Sequence, residues 1–255
     1  MIRVLALATN TFREAVRDRV LYSILLFAVG LVAVSLVLQD ITVGDQDKVV
    51  RSVAQGGIDV MASIIAMFLG VSLVWKEVER KTIYTILSKP VPRWMFVLGK
   101  YLGIVLTLAV EIVILMAVYT LLIGSQQEMP GTVVYMSAVM LLVELMLLTA
   151  WATLFSTYSS PVTAGGFTLA VFVIGHLADD IWRFGQQAQS PMMRDLSEVI
   201  YWALPNFEVM SLREHAVHNI AVPWDQMGAV AAYGLLYSAG VLSLAMLVFS
   251  RRDLR

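Results

Sequence analysis

The chain contains no cysteine, which excludes a disulfide framework, thiolate metal sites and a cysteine nucleophile, whichever compartment its loops face. Charge is also scarce. Asp, Glu, Lys and Arg make up 15% of the 255 residues, against about 25% in an average soluble domain. No phosphate-binding loop is present either. The pattern G-x-x-x-x-G-K-[ST] lets backbone N–H groups cradle phosphates while a hydroxyl reaches the metal. Here the single Gly-Lys pair, Gly99-Lys100, is followed by Tyr101 and has Trp94 where the first glycine would stand. The chain is therefore not expected to hydrolyse ATP itself, and it carries no catalytic residue of its own. No G-x-S-x-G with a partnered histidine occurs, and Glu77-Val78-Glu79-Arg80 does not meet the E-E-x-x-x-R pattern of one class of intramembrane protease.

Apolar sequence fills the space that charge leaves. Hydrophobic residues reach 59% and the mean hydropathy is +0.78, well above the roughly 45–50% apolar content of soluble domains. About 20 apolar residues are needed to cross about 30 Å of hydrocarbon, and six runs meet that length: 20–38, 57–75, 101–124, 132–155, a fifth starting at Pro161 and a sixth over 228–250. Unsatisfied backbone groups are costly in lipid, so all six are expected to be helices and the fold all-α and polytopic, a single permease-sized domain over 1–255. The net charge of −1 carries little information, because in a membrane protein the placement of Lys and Arg matters more than their sum. Putting the N-terminus inside places thirteen of the 18 basic residues on the cytoplasmic side. The positive-inside rule then predicts both termini in the cytoplasm.

The first 18 residues do not read as a cleavable signal, since Arg13, Glu14, Arg17 and Asp18 interrupt the approach to the first apolar run. At helical spacing Ile2, Leu5, Phe12, Val16 and Val20 share one face and Arg3, Asn10, Arg13 and Arg17 another, which predicts an interfacial helix over 1–18. Residues 76–100, KEVERKTIYTILSKPVPRWMFVLGK, hold eight charges between the second and third runs. Within them Ile83, Ile86 and Leu87 recur at i, i+3 and i+4, so a helix of about two turns would show one narrow apolar ridge flanked by Arg80, Lys81 and Lys89. Pro90 and Pro92 stop it. Too short to be stable alone in water, this helix must pack on the membrane surface or in a groove of a soluble protein.

Two acids fall near the middle of apolar runs, Glu111 in the third and Glu144 in the fourth. Adjacent antiparallel spans would bring them to similar depth, with no Lys or Arg in the spans to neutralise them. Such residues mark a transport pathway, or else sit protonated and hydrogen-bonded to a neighbouring helix. The outer segment 179–226 is too long for a turn. Ser190-Pro191 can start a helix that sets Met192, Leu196, Val199 and Ala203 on one face, and Tyr201, Trp202 and Trp224 suit the headgroup belt. Interfacial or re-entrant helices capping the outer mouth are expected. His215 and His218 stand at helical spacing beside Glu214, but two histidines without a cysteine make a poor metal set, and no metal site is expected. The 14 methionines are scattered as packing residues would be, and Gly165-Gly166, Gly234 and Gly240 would permit close helix approach.

Glu79, Thr82, Leu87, Ser88, Pro90 and Arg93, followed by Gly99-Lys100, approximate E-x-x-T-x-x-x-L-S-x-P-x-x-R and G-K. With Leu204-Pro205-Asn206 in the outer segment and FSRRDL after the last run, the chain resembles the permease subunits of type-2 ATP-binding-cassette exporters. The nearest branch is similar to permeases grouped with multi-copper-enzyme maturation and gliding motility. That resemblance implies a bacterial inner-membrane subunit in which 76–93 is a coupling loop seated in a separate ATPase. It also implies that two six-helix units, identical or related, form one path. The matching positions, Arg80, Lys81, Thr82, Ile83 and Tyr84 with Ile86 and Leu87, would form the ATPase contact, although Lys81 stands where many relatives carry glycine. ATP and magnesium would sit on that partner, with no cofactor on this chain and no nucleic-acid partner. The alternative from the residues alone is a secondary transporter or membrane scaffold whose basic loop lies on anionic lipid. The two halves of the sequence differ in loop lengths and show no inverted repeat of the kind such transporters use.

Overall fold

The computed structural model describes residues 2–18, 22, 25–34, 46–79, 92–124 and 130–251. Regular structure among the described residues is helical throughout: α1 (Ile2–Val16), α2 (Leu25–Val34), α3 (Gln46–Glu79), α4 (Arg93–Gly124), α5 (Thr132–Ser156), α6 (Pro161–His176), α7 (Ala178–Gln187), α8 (Pro191–Ala203), a 3₁₀ turn (Glu208–Met210), α9 (Arg213–Val217) and α10 (Trp224–Arg251). Four of these, α3, α4, α5 and α10, are long and apolar enough to cross a membrane, and α6 with α7 makes a fifth if that bent pair is one span. The chain is a multi-pass membrane protein. Of the first apolar run, Leu25–Val34 is helical and the remainder lies largely outside the described residues.

α5 sits at the centre. It is apolar on every side, and such a helix is stable only when surrounded; α3, α4, α6, α9 and α10 all pack on it. Several buried hydroxyls at its C-terminal end turn back onto the helix, Thr153 Oγ1 donating to Thr149 O at 2.7 Å and Thr157 Oγ1 to Leu154 O at 2.6 Å. In the absence of water this is the available way to satisfy a hydroxyl without a neighbour.

α1 docks along α4. Its buried residues are the small ones, Ala8, Thr11 and Ala15, whereas Leu5 is 62% exposed; the face expected to seek lipid is thus separate from the face that touches protein. The approach is close because α4 offers Gly99 and Gly103: a Cβ on Gly103 would lie 2.5 Å from the Ala8 carbonyl oxygen and 2.6 Å from Thr11 Cβ. This is a small-xxx-small contact that hydropathy alone does not reveal. Among the glycines expected to mediate packing, Gly234 does so, against Val143 and Met210. A Cβ at Gly165, Gly166 or Gly240 would meet nothing within 4 Å among the described residues, so those three do not serve that purpose there.

The polar N-terminal helix, the start of α4 and the end of α10 share one end of the bundle. There Lys100 Nζ lies 4.0 Å from a Glu14 carboxylate oxygen, Phe96 stacks on Phe249 at 5.9 Å, and Arg93 donates to the Ser250 carbonyl at 3.2 Å, a cation at a helix C-terminus. At the other end Thr120 and Tyr135 hydroxyls meet at 3.3 Å. Residues 80–91, and with them Arg80, Lys81, Thr82, Ile83, Tyr84, Ile86 and Leu87, lie outside the described residues.

Candidate functional site: a polar cavity under the outer segment

The fifth apolar run does not continue straight into the outer segment. α6 opens on Ser160, whose hydroxyl accepts from the Thr163 amide, with Pro161 at the first helical position. It ends after His176, where Leu177 leaves helical geometry, and α7 departs at 60°. α7 begins with Asp179 and Asp180 in its first turn, where the helix dipole favours negative charge.

Leu204-Pro205-Asn206 and Phe207 fasten the outer segment to this bend. The Phe207 amide donates to the Gly175 carbonyl at 3.1 Å. A Cβ on Gly175 would lie 2.5 Å from the Phe207 ring and 2.6 Å from the Pro205 oxygen, so the chain can approach only a glycine here. Asn206 uses both ends of its side chain: Nδ2 donates to Asp179 at 2.8 Å and Oδ1 accepts from the Val209 amide at 3.3 Å. Its backbone N–H donates to the Tyr233 hydroxyl of α10 at 3.2 Å. α8 begins where expected, with Ser190 as N-cap and Pro191 next. Its apolar face carries Met192, Leu196 and Val199, all exposed.

Beneath that clamp lies His176, between the rings of Phe172 at 4.4 Å and Phe207 at 5.4 Å. Its Nδ1 is 3.0 Å from the Phe172 carbonyl and its Nε2 is 3.3 Å from Oε1 of Glu144. A carbonyl can only accept, so Nδ1 carries a hydrogen. Nε2 facing a bare carboxylate would then set lone pair against lone pair, and a proton must lie between the two groups. Whether it sits on the imidazole or on the carboxyl, the Glu144–His176 pair is neutral as a unit.

Two further elements complete the site. α3 contributes Asp59, within electrostatic reach of Glu144, Arg213 and His176, and Ser63, one turn along. Arg213, at the start of α9, lays its guanidinium against Gly56 of α3, with Nη1 3.1 Å from where a Cβ would stand. Together these groups wall a cavity of about 530 Å³, within the range of small-molecule sites. Its polar side is Asp59, Ser63, Glu144 and His176, with Glu208, Arg213, Glu214 and His215 towards the outer segment. Its apolar side is Met140 of α5, Phe172 of α6, Val209 and Leu212 of the outer segment, and Met227 and Val230 of α10.

The predicted acids separate here. From the Thr120–Tyr135 contact, nine residues inward along each helix reach Glu111 and Glu144, which places them at about the same depth, roughly 14 Å from that contact. Glu144 lines the cavity. Glu111 does not, and both its carboxylate oxygens are buried without a partner among the described residues. Asp59 was not singled out by hydropathy, because it stands third in its apolar run; α3 starts at Gln46, which carries Asp59 about 20 Å from the helix start. A polar stripe at i, i+4 and i+8, Gln55, Asp59 and Ser63, is the signal that finds it. His215 lines the cavity, but α9 ends at Val217 and His218 falls beyond it, exposed. Among the described residues no group of three or more His, Asp or Glu is placed to hold a metal ion.

No curated protein matches the chain. The family model described as ABC-2 family transporter protein matches residues 5–254, a span that includes the cavity, the clamp and each long apolar helix. On that match the chain belongs to the ABC-2 family of transporter proteins, the membrane permease components of ABC transporters.

Proposed function

We propose that the chain is one half of the translocation path of an ATP-driven exporter and receives the motion of a separate ATPase through residues 80–91. One observation supports this coupling above others. α3 continues as helix to Glu79, past the apolar stretch that ends at Leu73, and α4 resumes at Arg93. Both helices pack on each other and on α5. Residues 80–91, with Ile83, Ile86 and Leu87, therefore connect two rods that reach the centre of the bundle, so a push on that segment would be delivered to the cavity wall. α1, docked on α4 at the same end, stiffens that rod. The exporter direction follows the resemblance of 79–100 to exporter permeases. A second six-helix unit, a copy of this chain or a relative, would complete the path. Glu144, on the cavity wall, is the mid-span acid assigned to the path; Glu111, away from it, is assigned to helix packing.

The test is to purify the chain from its native membrane through a tag on the permease and to identify the ATP-binding-cassette ATPase that accompanies it. Ile83→Asp places a charge on the ridge and is expected to abolish ATPase co-purification while membrane insertion stays intact. Retention of the ATPase by Ile83→Asp, or binding of the basic segment to anionic vesicles alone with no ATPase captured, would refute the coupling role.

A further inference from the structure

The cavity under the outer segment has a chemistry that transport in general does not require. We propose that it binds an organic ammonium ion carrying a compact apolar body. The site belongs to a single chain, so it stands or falls separately from the coupling role of residues 80–91.

Charge comes first. The Glu144–His176 pair is neutral as a unit, for the hydrogen-bonding reason given above. Among the remaining ionic groups on the wall, Asp59, Glu208 and Glu214 face one guanidinium, Arg213. Glu208 and Glu214 against that one cation leave the cavity one negative charge in excess while His215 is neutral, and the buried Asp59 adds a second when it is ionised. An anion is disfavoured there and a cation attracted.

A second observation points to a ligand rather than to a solvated acidic rim. Ser63 is 1% exposed, lines the cavity, and its Oγ has no hydrogen-bond partner among the described residues. Most hydroxyls on these helices bond back to a carbonyl of their own turn, as Thr107, Thr168 and Ser238 do. An unbonded buried hydroxyl costs free energy unless something meets it. An ammonium N–H donor does so, beside the Asp59 carboxylate one turn away. The opposite wall, with Met140, Phe172, Val209, Met227 and Val230, supplies apolar area and an aromatic face for the body of the same molecule. The volume of about 530 Å³ exceeds what an ion with a few waters needs and suits a compact molecule.

A matched series with one hydrocarbon cage tests charge and shape apart: aminoadamantane as the cation, adamantanol as the neutral form and adamantane carboxylate as the anion. Binding to the full chain in nanodiscs of zwitterionic lipid is measured by titration calorimetry, with empty nanodiscs subtracted. Saturable binding of aminoadamantane, with adamantanol weaker and the carboxylate absent, is the expected result. Glu208→Gln with Glu214→Gln removes both exposed rim charges and should weaken the amine about tenfold. Ser63→Ala should weaken it severalfold, and Glu198→Gln, an exposed acid outside the cavity, should leave it within twofold. An unchanged thermal midpoint in the rim double variant shows that the fold is intact. Equal binding of the three cages, no saturable amine binding, or an unaltered affinity in the rim double variant would each overturn the proposal.

Discussion

The Glu144–His176 pair can be tested by its energetics. Glu144 is 6% exposed at its side chain and His176 29%, with 3.3 Å between the facing atoms. Two unit charges at that distance attract by about 5 kcal/mol at an effective dielectric near 20, and desolvation of both groups offsets most of this. The net worth of the intact pair is small, but the cost of breaking it is not. His176→Leu keeps apolar bulk between Phe172 and Phe207 yet leaves a buried carboxyl facing hydrocarbon, at a cost of about 3 kcal/mol. Glu144→Leu strands an imidazole that still bonds the Phe172 carbonyl and touches the cavity, and should cost about 2 kcal/mol. The double variant removes both polar groups at once and should cost no more than about 2 kcal/mol, because a buried pair replaced by hydrocarbon is often close to neutral. The coupling is then about 3 kcal/mol, far above the roughly 0.5 kcal/mol within which independent sites add. Denaturant titration in mixed micelles, followed by the fluorescence of the six tryptophans, measures all four corners of the cycle. If the double variant loses the sum of the two single losses, no proton is shared and the account of the pair fails.

The packing of α1 and the outer clamp yield two more tests. Gly103→Ala sets a methyl group 2.5 Å from the Ala8 carbonyl oxygen, where no flexible side chain can yield; α1 must move off by about 1 Å, at about 1–3 kcal/mol. Trypsin should then cut at Arg13 and Arg17 several times faster, while Gly165→Ala, whose methyl would meet nothing among the described residues, leaves the cleavage rate unchanged. Equal rates in both variants would show that α1 is not held by this contact. Asn206→Ala removes the bonds to Asp179 and to the Val209 amide and should cost about 2–3 kcal/mol. Amide exchange across 204–212 should accelerate accordingly, and wild-type protection there would contradict the role assigned to Asn206.

The long helices were legible because lipid imposes a length and a composition that few other structures satisfy. α4, α5 and α10 fall where the apolar runs place them, and α8 starts at Ser190-Pro191 as proline's preference for the first helical position predicts. The centre of the site was half legible. Glu144 is conspicuous as an acid inside an apolar run, but its partner stands 32 residues away at the broken end of another helix, and a lone histidine near a span terminus carries no mark of its partner. Asp59 reads as a flanking residue because hydropathy detects where apolar sequence starts, whereas α3 begins well before it. The bend at Leu177 is hidden for a related reason: its cause is tertiary. Residues nearly 30 positions later supply the groups that meet the Gly175 carbonyl and Asp179.

That tertiary cause also ties the cavity to its cover. Phe207 stacks on His176 while its amide holds the Gly175 carbonyl, and the preceding Asn206 bonds to α7 through Asp179 and to α10 through Tyr233. On α10, Gly234 lets Val143 of α5 and Met210 of the 3₁₀ turn approach within one side-chain layer, and Val143 precedes Glu144. The outer segment is therefore fixed to α5, α6 and α10 by the residues that wall the cavity or adjoin them. Packed helices have discrete arrangements rather than a continuum, so α10 cannot shift against α6 without stretching the Asn206 bonds or unstacking Phe207 from His176. Either change alters the cavity wall at the point where the shared proton sits. For this reason Asn206, which does not line the cavity itself but holds the amide of Val209 on its wall, is expected to affect ligand binding there as well as the protection of the clamp.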